Sequence, residues 1–103
     1  MADLGDPVGH EQGVRRPVLL VNAQLWLESH PPVVMAVPLT RTHRGSRTHV
    51  EIEPGSSGLK AISYAKCEDL RSISPERLGR RFGRVDDLVL FEVETVLRRL
   101  LAL

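Results

Sequence analysis

Two short apolar runs, PVLLV at 17–21 and VVMAVPL at 33–39, stand out against a largely polar background. Uninterrupted apolar residues over the length of a strand suit strands covered on both faces, so the pattern predicts two core strands. Residues 48–53 (THVEIE) alternate instead. Val50 and Ile52 fall on one side and His49, Glu51 and Glu53 on the other, which predicts a strand with one wet face. The turn-forming PGSSG follows at 54–58, after which 61–65 (AISYA) and 70–73 (LRSI) read as two more strands or one bent strand. In ERLGRRFGR at 76–84, Leu78 and Phe82 turn inward and the arginines outward on a further strand. Between the core strands, 22–32 (NAQLWLESHPP) ends in two prolines and reads as a loop with one helical turn, and Ser74 before Pro75 starts another short turn.

The period changes at Asp86. Val89, Val93, Val96, Leu97 and Leu100 share one face at helical spacing, while Glu92, Glu94, Arg98 and Arg99 lie mostly off it. Asp86 is the predicted N-cap, and acidic residues lead while basic ones trail, as the helix dipole favours. The pattern therefore predicts one mainly β domain spanning 1–103, a strongly bent, mostly antiparallel sheet of about five or six strands, closed on its open side by the terminal helix.

Composition fits that picture. The hydrophobic share is 42% and the charged share 26%, ordinary for a globular chain able to bury one core. A net charge of +1 announces no global field for nucleic acid, so any such role depends on where the arginines sit. The single cysteine, Cys67, cannot form an intramolecular disulfide and reads as a small buried hydrophobe of a reducing compartment. The opening MADLGDPVGHEQG holds no apolar signal region, and no run is long enough to cross a bilayer, so a cytoplasmic protein without a membrane role is expected. Trp26 and Tyr64 are too few for a stacking platform. Tyr64 is expected in the core, and Trp26 in its loop is a candidate for a partner contact.

Two polar segments carry the candidate chemistry. RTHRGSRT at 41–48 gathers Arg41, Arg44 and Arg47 with His43 directly after Thr40, and it reads either as a solvated hairpin or as a loop that tracks phosphates. In GHEQGVRRP, Gly9 and Gly13 bracket His10, Glu11 and Gln12, a mobile loop dense in groups that donate, accept or move a proton. Arg15 and Arg16 follow, and Pro17 holds Arg16 at the entrance of a strand, where its planar fork could bond two phosphate oxygens. No carboxylate cluster suggests a magnesium site and the histidines lack zinc spacing, so neither a metal nor another cofactor is expected.

The segments GHEQGVRRPVLLVN, VVMAVPLTRTHRG, THVEIEPGSSGL, SYAKCEDLRSIS and ERLGRRFGRV, in that order before an apolar helix, resemble the MazF/PemK family of toxin ribonucleases. The most specific part is Gly-x-Glu-Gln-x-x-x-Arg-Pro-[VAL], met by Gly9, Glu11, Gln12, Arg16, Pro17 and Val18; Thr40 at the end of a VxPLT strand is the second anchor. The resemblance implies an SH3-like small barrel of the MazF/CcdB type, a homodimer, and metal-independent cleavage of single-stranded RNA that leaves 2′,3′-cyclic phosphate and 5′-hydroxyl ends. It also implies a MazE-like antitoxin lying across the RNA groove. By the same resemblance Arg16 stabilises the reacting phosphate and acts in proton transfer, Thr40 contacts that phosphate through its hydroxyl, and Glu11 is the loop glutamate that assists catalysis or positions the loop. His10, Gln12, Arg15, Arg41, Arg44, Glu68 and Asp69 are the candidate RNA contacts.

Three positions depart from the family pattern. The usual first strand is reduced to Asp3 and Leu4, so a truncated first strand and an uncovered sheet edge are expected. His10 replaces a small polar residue and is either an exposed loop side chain or an aid to proton transfer. Asp69 stands where relatives often carry Gln, which removes two amide donors and implies a different RNA preference. The alternative is an inactive relative or a CcdB-like gyrase inhibitor. The ending Leu100-Leu101-Ala102-Leu103 lacks the Trp-Gly-Ile on which CcdB-like chains rely.

Overall fold

The computed structural model describes residues 7–11, 16–21, 26 and 28–103; for 7–11 and Arg80 the backbone alone is described. Among these residues seven strands form one antiparallel sheet: β1 (Pro7–Glu11), β2 (Arg16–Leu20), β3 (Val34–Thr40), β4 (His49–Ile52), β5 (Ser63–Lys66), β6 (Arg71–Ile73) and β7 (Leu78–Arg84). They hydrogen-bond in the order β4-β5-β3-β2-β1-β7, with β6 also on β3. The terminal helix α1 (Asp87–Leu101) follows β7. The truncated first strand expected at Asp3 and Leu4 lies outside the described residues.

The two apolar runs become central strands because both of their faces are covered. Leu19 of β2 and Val37 and Leu39 of β3 belong to one core cluster, together with Val50, Ile52, Val85 and Val93. Their neighbours Val18, Leu20, Val34 and Ala36 turn to the other face and meet Ile73 and Leu78. Burying each such side chain stabilises the fold by roughly 1.5–3 kcal/mol, so these strands dominate the core.

The bend in the sheet sits on β3. Its first half pairs with β6, Val34 opposite Ile73 and Ala36 opposite Arg71, and its last residues pair with β5, Leu39 opposite Ala65 and Thr40 opposite Tyr64. Between β5 and β6 the chain makes the three-residue 3-10 turn Cys67–Asp69, so the two segments at 61–73 are separate strands running along one edge of β3. The bent antiparallel sheet with its terminal helix is as expected. The barrel does not close: among the described residues no pairing joins β4 to β7.

Two expectations change. Residues 9–11, predicted within a mobile loop, belong to β1, which pairs with β2 on one side and with β7 on the other. Leu100, placed on the buried stripe, is 45% exposed; Val93 is buried, and Val89, Leu90, Val96 and Leu97 pack half-buried against the core. Asp86 caps α1 as predicted, accepting from the Val89 N–H at 2.9 Å. No described helix is long and apolar enough to cross a membrane.

Candidate active site

Arg16 opens β2 and Thr40 closes β3. Antiparallel pairing of these strands, Val18 opposite Pro38, brings the start of one beside the end of the other. Arg16, Thr40 and Arg41 thereby line one cavity of about 500 Å³, whose wall also includes Pro38, Ser63 and Lys66. Arg16 and Arg41 are exposed and form no ion pair among the described residues, so both guanidinium groups are available to an anion. The Thr42 N–H donates to Thr40 Oγ1 at 3.1 Å. That turn fixes the hydroxyl oxygen and leaves its proton free to donate to a ligand.

Glu11 sits opposite Arg16 in the β1–β2 register, and His10 opposite Pro17. The fold thus brings these two backbone positions to the edge of the Arg16 cavity. Directly opposed residues in an antiparallel pair have Cα atoms about 4.5–5.5 Å apart. Gln12 and Arg15 lie outside the described residues. Arg44 is exposed in the loop after β3 and does not line the Arg16 cavity.

Glu68 and Asp69 occupy the 3-10 turn after β5, and both already hold partners within the chain. Glu68 accepts from Thr48 Oγ1 at 2.7 Å and from His49 Nε2 at 3.1 Å. Partial burial works against the charge of Glu68, but hydrogen bonds from Thr48, its own backbone and His49, with the His49 charge, outweigh it and hold the carboxyl below its usual range. The His49 side chain is 5% exposed, and its Nδ1 is buried without a partner among the described residues. Asp69 pairs with Lys66 at 2.9 Å. Cys67 is buried as predicted; burial pushes its thiol up to about 11, helped by the neighbouring Glu68 charge, so it is inert near neutral pH.

Sequence reasoning missed Lys66 and misplaced Tyr64. On β5, Ser63 and Ala65 are buried while Tyr64 and Lys66 are half-buried, an alternation already visible in SYAK. Tyr64 stands beside Thr40 across the strand pair and packs its ring against His43, centroids 5.1 Å apart. It faces the basic loop rather than the core. Trp26 donates its indole N–H to the Val33 carbonyl at 3.1 Å.

The chain belongs to the PemK-like, MazF-like toxins of type II toxin–antitoxin systems, whose family profile matches residues 1–101. It is 32% identical over 103 residues to Endoribonuclease EndoA of Bacillus subtilis (strain 168), covering 99% of this chain and 89% of that protein. Among solved structures it resembles the Mycobacterium tuberculosis toxin MazF-mt6 at 26% identity and a TM-score of 0.82, covering 94% of this chain and 97% of that one. An endoribonuclease solved in complex with its cognate antitoxin from a mycobacterial species matches at 26% identity and a TM-score of 0.83, over 99% of this chain and 97% of that one.

Proposed function

We propose that this protein is an endoribonuclease toxin that cuts single-stranded RNA without a metal ion and is neutralised by a MazE-like antitoxin. The observation that carries the reading is the convergence of Arg16, Thr40 and Arg41 on one open cavity, in a chain of the MazF-like family. In the proposed reaction the ribose 2′-oxygen loses its proton and attacks phosphorus. The P–O5′ bond breaks and the 5′-oxygen takes up a proton, leaving a 2′,3′-cyclic phosphate and a 5′-hydroxyl. Negative charge grows on the non-bridging oxygens, where the Arg16 fork and the Thr40 hydroxyl can bind it.

Glu11, opposite Arg16 in register, is the proposed loop carboxylate, and Arg16 also serves proton transfer. His10, Gln12, Arg15, Arg41 and Arg44 are proposed to contact the RNA, and Glu68 and Asp69 to border the bases. A homodimer belongs to the same reading. The apolar side chains of Leu88 (68% exposed), Phe91 (65%) and Leu103 (87%) on the terminal helix segment are of the kind that protein contacts cover.

The test is incubation of the purified chain with a long single-stranded RNA in EDTA, followed by mapping of the cuts and analysis of the new ends. Sequence-specific cuts ending in cyclic phosphate are expected. Arg16→Ala, at an exposed position, should keep the fold and lose at least about 100-fold in rate, the usual effect of removing one charge-stabilising donor. Intact RNA from a folded wild-type chain would point to an inactive relative, and full activity of a folded Arg16→Ala chain would remove Arg16 from the chemistry.

A further inference from the structure

A second cavity, of about 320 Å³, adjoins the first. The two share Pro17, Arg41 and Ser63 and so form one continuous groove. Cleavage at the Arg16 end requires groups that hold a phosphate, and it leaves the character of the second cavity unexplained. Pro17, Leu59 and Phe82 give that cavity an apolar wall, while Arg41 and Lys60 stand at its rim. Lys60 is exposed and pairs with no carboxylate among the described residues.

The pocket is also built in advance. At Gly58, with φ at +75°, an added Cβ would fall 2.0 Å from the Phe82 carbonyl oxygen, so the 54–58 turn is pressed directly onto β7. The Arg84 N–H donates to the Ser56 carbonyl at 2.8 Å, and the buried Ser57 hydroxyl donates to the Glu53 carbonyl at 2.7 Å. These contacts fix the turn that leads into Leu59 and Lys60 against the strand that carries Phe82. An apolar wall with one aromatic ring, cations at the rim and a volume at the lower end of the range for small-molecule sites suits one kind of occupant. A nucleoside unit of an RNA strand offers a flat face for stacking and is flanked by a phosphodiester on either side.

We propose that this pocket takes the nucleoside adjacent to the scissile phosphate, its base against Phe82 and Leu59 and its outer phosphate on Lys60. Arg41, common to both cavities, then lies between the two phosphates. The assignment rests on reading the Arg16–Thr40 cavity as the seat of the scissile phosphate.

The probe is a nucleoside 3′,5′-bisphosphate, taken in turn with each of the four bases and followed by amide NMR shifts, with inorganic phosphate as the reference ligand. The bisphosphates are expected to shift Leu59, Lys60 and Phe82 together with Thr40, and to bind about tenfold more tightly than phosphate, the factor of one stacked base. Lys60→Ala removes the contact to the outer phosphate and should weaken bisphosphate binding, while leaving inorganic phosphate binding unchanged. Phe82→Leu keeps an apolar side chain but loses the stacking face, and should remove most of the roughly tenfold advantage over phosphate. Shifts confined to the Arg16 and Thr40 neighbourhood, or equal affinity for bisphosphate and phosphate, would overturn the proposal. Because the titration needs no turnover, a chain that leaves RNA intact defeats the cleavage reading while this test still gives its answer.

Discussion

Glu68 and Asp69 look interchangeable in sequence, two acids beside a buried cysteine, yet the fold gives them different duties. Asp69 meets Lys66 at the end of β5, a solvent-facing i,i+3 pair of the kind that contributes little to stability. Glu68 reaches back to Thr48 and His49, and Ser46 Oγ lies 3.0 Å from Thr48 Oγ1, so a chain of polar contacts anchors the end of the basic loop to the turn after β5. Neither partner could be read from the sequence, because nothing in the local pattern of CED specifies a contact with residues so distant along the chain. Glu68→Ala should therefore loosen the loop and also cost stability. Amide exchange at Thr48 and His49, whose N–H groups bond Ser46, should quicken, and global stability should fall by about 1–3 kcal/mol, because the buried His49 ring loses its Nε2 partner. The carboxyl of Glu68 is depressed in the folded state, so its anchoring is fully present above the ordinary carboxylate value of about 4.3 and is lost as pH falls through its lower folded value. Loop protection corrected for intrinsic exchange should accordingly stay level from neutral pH down to about pH 5 and fall only in stronger acid. Unchanged exchange in the variant would show that the contacts do not hold the loop.

Elements were legible wherever burial decided them and obscure wherever pairing did. β2 and β3 announce themselves through continuous apolar runs because both faces are covered, and α1 through its Val89–Val93–Val96 stripe and the Asp86 cap. By contrast β1 contains Gly9, His10 and Glu11 and carries no apolar alternation. Its strand conformation comes from partners on two sides, Gly9 facing Val18 of β2 and Arg81 of β7, with irregular register along β7. A polar, glycine-containing segment of that kind reads as a loop until its neighbours are known. Leu100 failed for a related reason: helical spacing continues its stripe into the last turn, where the core no longer covers it. The cap itself can be tested directly. Asp86→Ala removes the acceptor for the Val89 N–H and should cost about 1 kcal/mol, read as a lower urea midpoint with an unchanged slope. An unmoved midpoint would mean that solvent satisfies that N–H as well as the aspartate does.

At the scale of the whole molecule, charge is a matter of placement. The chain carries a net charge of only +1, yet Arg16, Arg41, Lys60 and Lys66 all border the groove that runs from the end of β3 toward the 54–58 turn. The sequence showed the basic loop at 41–48 but not this grouping, which arises because the bend on β3 sets β5 beside Thr40 while β2 delivers Arg16 from the other side. Lys66 is already engaged by Asp69, so three cations remain to displace counterions from a single strand. Each neutralised phosphate on a single strand contributes about −0.7 to the slope of log affinity against log salt, which gives roughly −2 for the groove. An all-2′-deoxy oligonucleotide, which offers no attacking hydroxyl, allows binding to be measured without cleavage. Arg41→Ala should make the slope shallower by about 0.7, whereas Arg98→Ala, which removes the same charge from α1, should leave it unchanged. Equal effects from the two variants would mean that the strand responds to the overall field of the protein and not to the groove; unequal effects in the stated direction would locate its path along Arg41.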